Sequence, residues 1–139
     1  MADTFQLEVA TPERLLVDEQ VTEAQLPGKS GYMGILAGHA PLLSALGAGV
    51  LTYEGGGGPH VMAISGGFVE VIDNHVRVLA DRAEFPDDIK VDAAQQDLGK
   101  ATEALKHADT EEAATAAIEA GNAAQARLDA ASKTSGTTH

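Results

Sequence analysis

Phe5, Leu7 and Val9 alternate with Gln6 and Glu8, and a period of two sets the three apolar side chains on one face of a strand. Val50, Thr52 and Glu54 alternate in the same way against Leu51 and Tyr53. His60 to Ser65 is a mostly apolar segment, Phe68, Val69, Val71 and Ile72 make the next, and Val76, Val78 and Leu79 the one after. Asp73-Asn74-His75 falls between the last two and predicts a tight hairpin turn, because Asn and Asp tolerate left-handed backbone and bond to their own chain. Short strands with turns roughly every ten residues, and no long helical pattern between them, predict an antiparallel sandwich or barrel.

The pattern changes near Phe85-Pro86-Asp87-Asp88. All five prolines and all five aromatics lie at or before Pro86, whereas the stretch from Lys90 to His139 holds 15 alanines. In it Ala94, Leu98, Ala101, Leu105 and Ala108 recur at helical spacing, as do Ala113, Ala117, Ala120, Ala124, Leu128 and Ala131. Asp92 with Gln95, and Asp109 with Glu112, have the spacing of capping boxes. Two antiparallel helices joined at His107-Ala108-Asp109-Thr110 follow. Their stripes are mostly alanine, so each contact buries little area and the hairpin is expected to be weakly held and able to detach. The divisions are residues 1–86, a β-sandwich; 87–133, a helical hairpin; and 134–139, a tail expected to be disordered.

Charge and composition narrow the function. Nine Lys and Arg against 21 Asp and Glu give a net charge of -12, which argues against nucleic acid and anionic membrane surfaces as partners. There is no cysteine, so thiolate chemistry, disulfides and Cys-ligated metals are excluded. No apolar run approaches the roughly 20 residues of a membrane span, and the opening Met1-Ala2-Asp3-Thr4 has neither the basic start nor the apolar core of a secretory signal.

Candidate chemistry is sparse. His39 is a conceivable general base beside Ser30 or Ser44, but nothing in the spacing fixes a geometry, and a structural or interface histidine is the simpler reading. His60, His75, His107 and His139 are scattered and form no ligand pair, so no metal site is expected. Asp18-Glu19 and Asp87-Asp88 are neighbours in sequence; adjacent side chains on a strand point to opposite faces, and neither pair converges by itself. Gly55 to Gly58 is followed by no Lys-Ser or Lys-Thr and reads as a flexible connection rather than a phosphate cradle. The residues alone thus predict no catalytic, metal or cofactor site and a part that binds another protein.

Longer motifs supply a partner. The run from Leu26 to Leu43, with Gly28, Gly31, Gly34, Gly38, His39, Ala40 and Pro41, resembles the signature of the epsilon subunit family of bacterial ATP synthases (delta in mitochondria). The run Ser65-Gly66-Gly67-Phe68-Val69-Glu70-Val71 to Asp81 is a second match, and Phe5 to Glu13 a third. The resemblance implies a ten-stranded antiparallel β-sandwich followed by a two-helix hairpin. It also implies a noncatalytic rotor subunit of the F1 sector, binding the gamma subunit along one side of the sandwich and the ring of c subunits at one end, and coupling proton translocation to ATP synthesis. The place implied is peripheral, on the cytoplasmic side of a bacterial inner membrane. Lys29, Ser30, Gly31, Tyr32 and His39 are the implied c-ring contacts. Gly28, Gly31, Gly34 and Gly38 would allow turns or left-handed backbone and Pro41 would stiffen the loop. Gly66 and Gly67 would either admit gamma closely or form a bulge or turn in the sheet, the latter being favoured.

The tail departs from the pattern. Relatives that bind ATP on the hairpin carry Ile-Asp-x-x-Arg-Ala, where this chain has Ile89-Lys90-Val91-Asp92-Ala93-Ala94; on the second helix Arg127 matches one basic position and Ala123 stands at another. Phosphate needs fixed donors and positive charge, so Lys90, Asp92 and Arg127 are at most a remnant of that site and no cofactor is expected. In other relatives the hairpin opens against the alpha and beta subunits and inhibits ATP hydrolysis. A mainly regulatory role of that kind is the alternative function, and a small hydrolytic sandwich enzyme is a third.

Overall fold

The computed structural model describes residues 3–136, with side chains to 133. Seven strands precede two helices: β1 (Phe5–Ala10), β2 (Leu15–Gly28), β3 (Gly31–Leu36), β4 (Leu42–Ala45), β5 (Ala48–Gly55), β6 (Gly58–Ile72), β7 (His75–Glu84), a 3-10 turn at Pro86–Asp88, α1 (Val91–Lys106) and α2 (Glu111–Gly136). These are seven strands where ten were expected, because three long ones, β2, β6 and β7, each serve both sheets. The first half of β2 pairs with β1 and its second half with β3 and β5. The first half of β6 pairs with β5 and its second half with β4, while β7 follows β6 throughout and takes β1 only along His75–Leu79. One sheet therefore runs β2, β1, β7, β6, β4, and the other β3, β2, β5, β6, β7. All pairings are antiparallel except β1 with β7.

The crossings explain the sequence. Along β2 the buried residues are Val17 and Val21, then Ala24 and Leu26, with Pro27 beside the turn; the register slips between Val21 and Glu23, so the alternation changes phase where the strand bends from one sheet to the other. The segments at His60–Ser65 and Phe68–Ile72 are one strand, bent at Gly66 and Gly67, whose φ angles are 72° and 109°. A Cβ on Gly67 would collide with the Leu79 carbonyl oxygen, so this pair makes the bend in the sheet, as favoured above. Asp73 and Asn74 take φ of 49° and 61° in the β6–β7 turn, as their residue types predict.

Phe5, Leu7, Val9, Leu26, Ile35, Leu51, Met62 and Ile64 lie with their neighbours in one core between the sheets, to which no helical residue belongs. The hairpin packs outside, where Ala130 and Ala131 of α2 meet Val50, Val61, Ala63 and Ile89. Three expectations change here. Gly34 is an ordinary strand residue opposite Gln25, not a turn former. Asp92 is no cap, because α1 begins at Val91 with Lys90 at the capping position. On α2 the cap falls one residue later than expected: the Ala113 N–H donates to Thr110 Oγ1 at 3.0 Å. Helix α2 continues to Gly136, into the stretch expected to be disordered, and 137–139 lie outside the described residues.

Candidate functional site

Helix α2 reaches the outer face of the β2–β1–β7–β6–β4 sheet only at one end, where Glu119 and Asn122 line a hollow with Ala45, Phe68 and Asp81; the exposed residues toward Leu79 and Leu15 lie away from it. Registers Leu15↔Ala10, Ala10↔Leu79, Leu79↔Phe68 and Phe68↔Ala45 align an apolar row across all five strands, with Leu15 and Leu79 each 53% and Phe68 58% exposed. The next row is charged up to its β4 end, where exposed Leu43 stands opposite Glu70: Arg77 lies 3.5 Å from Glu8 and 3.9 Å from Glu70, and His75 bonds to Glu8. An apolar row this exposed, rimmed by ions, is a surface for a partner.

A second surface is the free edge of the other sheet, which ends at β3. The sequence-predicted contacts lie along it but not together. Lys29, Ser30, Gly31 and Tyr32 cluster at the β2–β3 turn, where Gly31 has φ of 138° and the Lys29 N–H donates to Ala45 O at 3.0 Å. His39 lies beyond the far end of β3, a strand of about 17 Å. Tyr32 also serves the fold, because its hydroxyl accepts the Val50 N–H at 2.8 Å. A Cβ on Gly49 would stand 2.5 Å from that hydroxyl and 2.6 Å from Pro27 Cβ, a requirement sequence reading missed.

The His39 end is tied by Asn74. Its Oδ1 accepts the Gly38 N–H at 2.8 Å and its Nδ2 donates to Thr4 O at 2.6 Å. Gly38 is left-handed, with φ of 81°, and Gly28 sits in regular strand at the tight β2–β3 turn, where a Cβ would be 2.5 Å from Gly31 O. Pro41 is exposed in the loop before β4.

Nothing resembling a catalytic arrangement forms around His39. Its Nδ1 lies 2.7 Å from the neighbouring Ala40 O, and Ser44 Oγ donates to Ala45 O at 3.5 Å. His60 stacks on Tyr53 with ring centroids 4.9 Å apart. Burial, aided by the Glu19 carboxylate, pushes the Tyr53 phenol up to about 12. Among the described residues no group of three or more His, Asp and Glu could hold a metal, and no helix is long and apolar enough to cross a membrane.

The remnant nucleotide residues are not brought together. Lys90 and Asp92 border one shallow surface with Ala93 and Gln96. Arg127 lines a different groove of about 600 Å³ with Arg82, Asp97 and Lys100, between the helices. Arg127 is 7% exposed and is occupied: Nε donates to Glu84 at 2.7 Å, a terminal nitrogen reaches the same carboxylate at 3.3 Å, and the other lies 3.6 Å from Asp97. Only a tertiary partner 43 residues away in sequence reveals that burial, and the helical stripe gave no sign of it.

A two-layer antiparallel sandwich, helix-covered on one sheet and largely bare and apolar on the other, defines the class: a sandwich-plus-hairpin protein with surfaces for partners. Residues 4–86 match the ATP synthase delta/epsilon chain β-sandwich domain, and the chain belongs to that family. It is 50% identical to the ATP synthase epsilon chain of Solibacter usitatus over 137 residues, 96% of this chain and 99% of the relative. Against the epsilon chain of Carboxydothermus hydrogenoformans it is 47% identical over 105 residues, 76% of this chain and 78% of the relative. A chain in the solved Euglena gracilis mitochondrial ATP synthase (OSCP, F1 and c-ring) superposes with a TM-score of 0.77 at 26% identity, over 93% of this chain and 81% of that one.

Proposed function

We propose that the chain is a noncatalytic rotor subunit in the central stalk of an F-type ATP synthase, linking gamma to the c ring and coupling proton translocation to ATP synthesis. It works at the cytoplasmic face of a bacterial inner membrane, held there by its partners. The observation that carries this reading is the apolar row Leu15, Ala10, Leu79, Phe68, Ala45, in a chain whose family is that of the epsilon subunits. Gamma covers this row, since large side chains half exposed along five strands gain most from a protein surface. The c ring meets the β3 edge, with Lys29 to Tyr32 marking one end of the contact and His39 the other. The two surfaces lie on different sheets of one closely packed sandwich, and a stiff body joining them passes torque without chemistry of its own.

The test is capture of the tagged chain from gently solubilised membranes. Gamma, alpha, beta and c subunits are expected in fixed ratio. Phe68→Glu with Leu79→Glu, at exposed positions that leave the core intact, is expected to lose gamma. Recovery of the parent chain alone, or with unrelated soluble proteins, refutes the reading.

A second reading, regulation by the hairpin through alpha and beta, is favoured by the small side chains that hold α2 on the sandwich. Removing residues 87–139 separates the two. Released ATP hydrolysis with coupling intact supports regulation; lost coupling with unchanged hydrolysis removes it.

A further inference from the structure

Arg127 is the buried charged residue of the described chain, and it touches three bodies at once. It stands on α2, Glu84 on β7 and Asp97 on α1, and its guanidinium reaches both carboxylates. The apolar contacts that hold the hairpin are mostly alanine, with Val50, Val61 and Ile89 on the sandwich side and Leu98 beside Gly121 between the helices. The helices meet through Ala101, Ala117 and Ala124, and α2 meets the sandwich through Ala130, Ala131, Val50, Val61 and Ala63. Each helix also carries a glycine, Gly99 and Gly121, where an added Cβ would meet nothing closer than 3.6 Å; both lower helix stability with no close approach that demands them.

We infer that Arg127 is a clasp, the group that decides whether the hairpin lies on the sandwich, and that Glu84 and Asp97 close it without any bound ligand. A desolvated guanidinium is held only while its partner is present; take one partner away and the other is an uncompensated charge in a poorly hydrated place, which detachment relieves. The alanine seam offers little against that release. The inter-sheet core contains no helical residue, so release is local and leaves the sandwich folded. The two carboxylates are unequal. Glu84 binds two nitrogens and its side chain is 19% exposed, whereas Asp97 makes one contact at 3.6 Å and is 50% exposed. Glu84 therefore carries the docking and Asp97 trims the position of α1. Arg82 Nε, 3.7 Å from Glu84, gives that carboxylate a second and weaker neighbour.

The test is hydrogen exchange by mass spectrometry on the full chain, comparing peptides within 91–133 with those of the strands. Arg127→Met and Glu84→Gln are each expected to speed exchange in both helices by about tenfold or more while the strands keep their rates. Asp97→Asn is expected to change the helices by less than about threefold. The double variant Arg127→Met with Glu84→Met is expected to return to within about threefold of the parent, because the two charges it leaves behind, Asp97 and Arg82, are each about half exposed and already hydrated. Unchanged helix exchange in either single variant overturns the clasp. So does equal acceleration of helices and strands, which would make the molecule one melting unit, and so does a double variant as fast as the two singles combined. The measurement uses the chain alone and needs no assembly, so failure here leaves the proposed stalk role standing, and failure of the capture experiment leaves the clasp standing.

Discussion

The sandwich is packed with large side chains and the hairpin with methyl groups. Phe5, Leu7, Leu26, Ile35, Leu51, Met62 and Ile64 are all fully buried between the sheets, whereas the buried helical residues are Ala94, Ala101, Ala117, Ala124, Ala126, Ala130 and one arginine. A fully buried Leu or Phe contributes about 1.5–3 kcal/mol and a methyl group about 0.8 kcal/mol. The same chain thus holds a body that keeps its shape and an arm that does not need to. The difference fits the proposed rotor role for the sandwich and the inferred release of the hairpin.

The strongest attempt to break this contrast is a pair of deletions. Phe5→Ala is expected to cost about 3–5 kcal/mol of global stability in urea unfolding. Ala101→Gly, in the helix seam, is expected to cost about 1 kcal/mol, visible in helix exchange and nearly absent from the strand signal. Equal losses in the global transition would mean that the hairpin is part of the same cooperative unit.

Legibility followed the same division. β1 and β5 could be read directly because each stays in one sheet and keeps one phase of alternation. β2 could not, since Val17 and Val21 face the core on one phase and Ala24 and Leu26 on the other, and the polar run Asp18-Glu19-Gln20 hides the first half. β3 was hidden by Gly31 and Gly34, which read as turn material although Gly34 is an extended strand residue. β6 read as two segments because Gly66 and Gly67 look like a break and act as a bend. In the helices the period-3.6 stripe found Ala94, Ala101, Ala117 and Ala124, the residues between α1 and α2. It missed Ala126, Arg127 and Ala130, and put Ala131 on the same stripe as the interhelical alanines, because α2 has a second contact face toward the sandwich that a single stripe does not separate. For the proposed interaction surfaces, motif resemblance pointed to Lys29 to Tyr32 and His39, whereas the apolar row needs the cross-strand registers, which are not local properties of any segment.

A titration sharpens the comparison next. Tyr53 lies in the sandwich with its pKa pushed from 10.0 to about 12, by burial first and by Glu19 second. The folded state holds the phenolic proton more tightly than the unfolded chain, so its contribution is complete below pH 10 and is lost as the pH climbs from 10 to about 12. Tyr53→Phe retains the ring beside His60 and is expected to flatten this alkaline decline in urea unfolding followed against pH. Phenolate absorbance in a Tyr32→Phe background reports the shifted group alone; a midpoint near 10 there would show Tyr53 to be open to water.

The smallest expected effect separates the two contributions to the hairpin itself. Gly121 lies in α2 facing α1, and an added Cβ would meet Ala101 Cβ at 3.6 Å and Leu98 Cδ1 at 4.0 Å, ordinary packing distances. Gly99 faces solvent, with nothing within 4 Å of its would-be Cβ. Gly99→Ala therefore adds helix propensity alone, about 1 kcal/mol, and Gly121→Ala adds the same propensity plus one methyl of seam contact. Both are expected to slow exchange in the helices about fivefold, Gly121→Ala the more, with the strands unchanged. The gap between the two variants measures what the alanine seam contributes. A gap of zero would mean that α1 is held by Asp97 and its short connections more than by its methyl contacts, and faster exchange in Gly121→Ala would mean that the helices in solution sit closer together than 3.6 Å between these methyl positions allows.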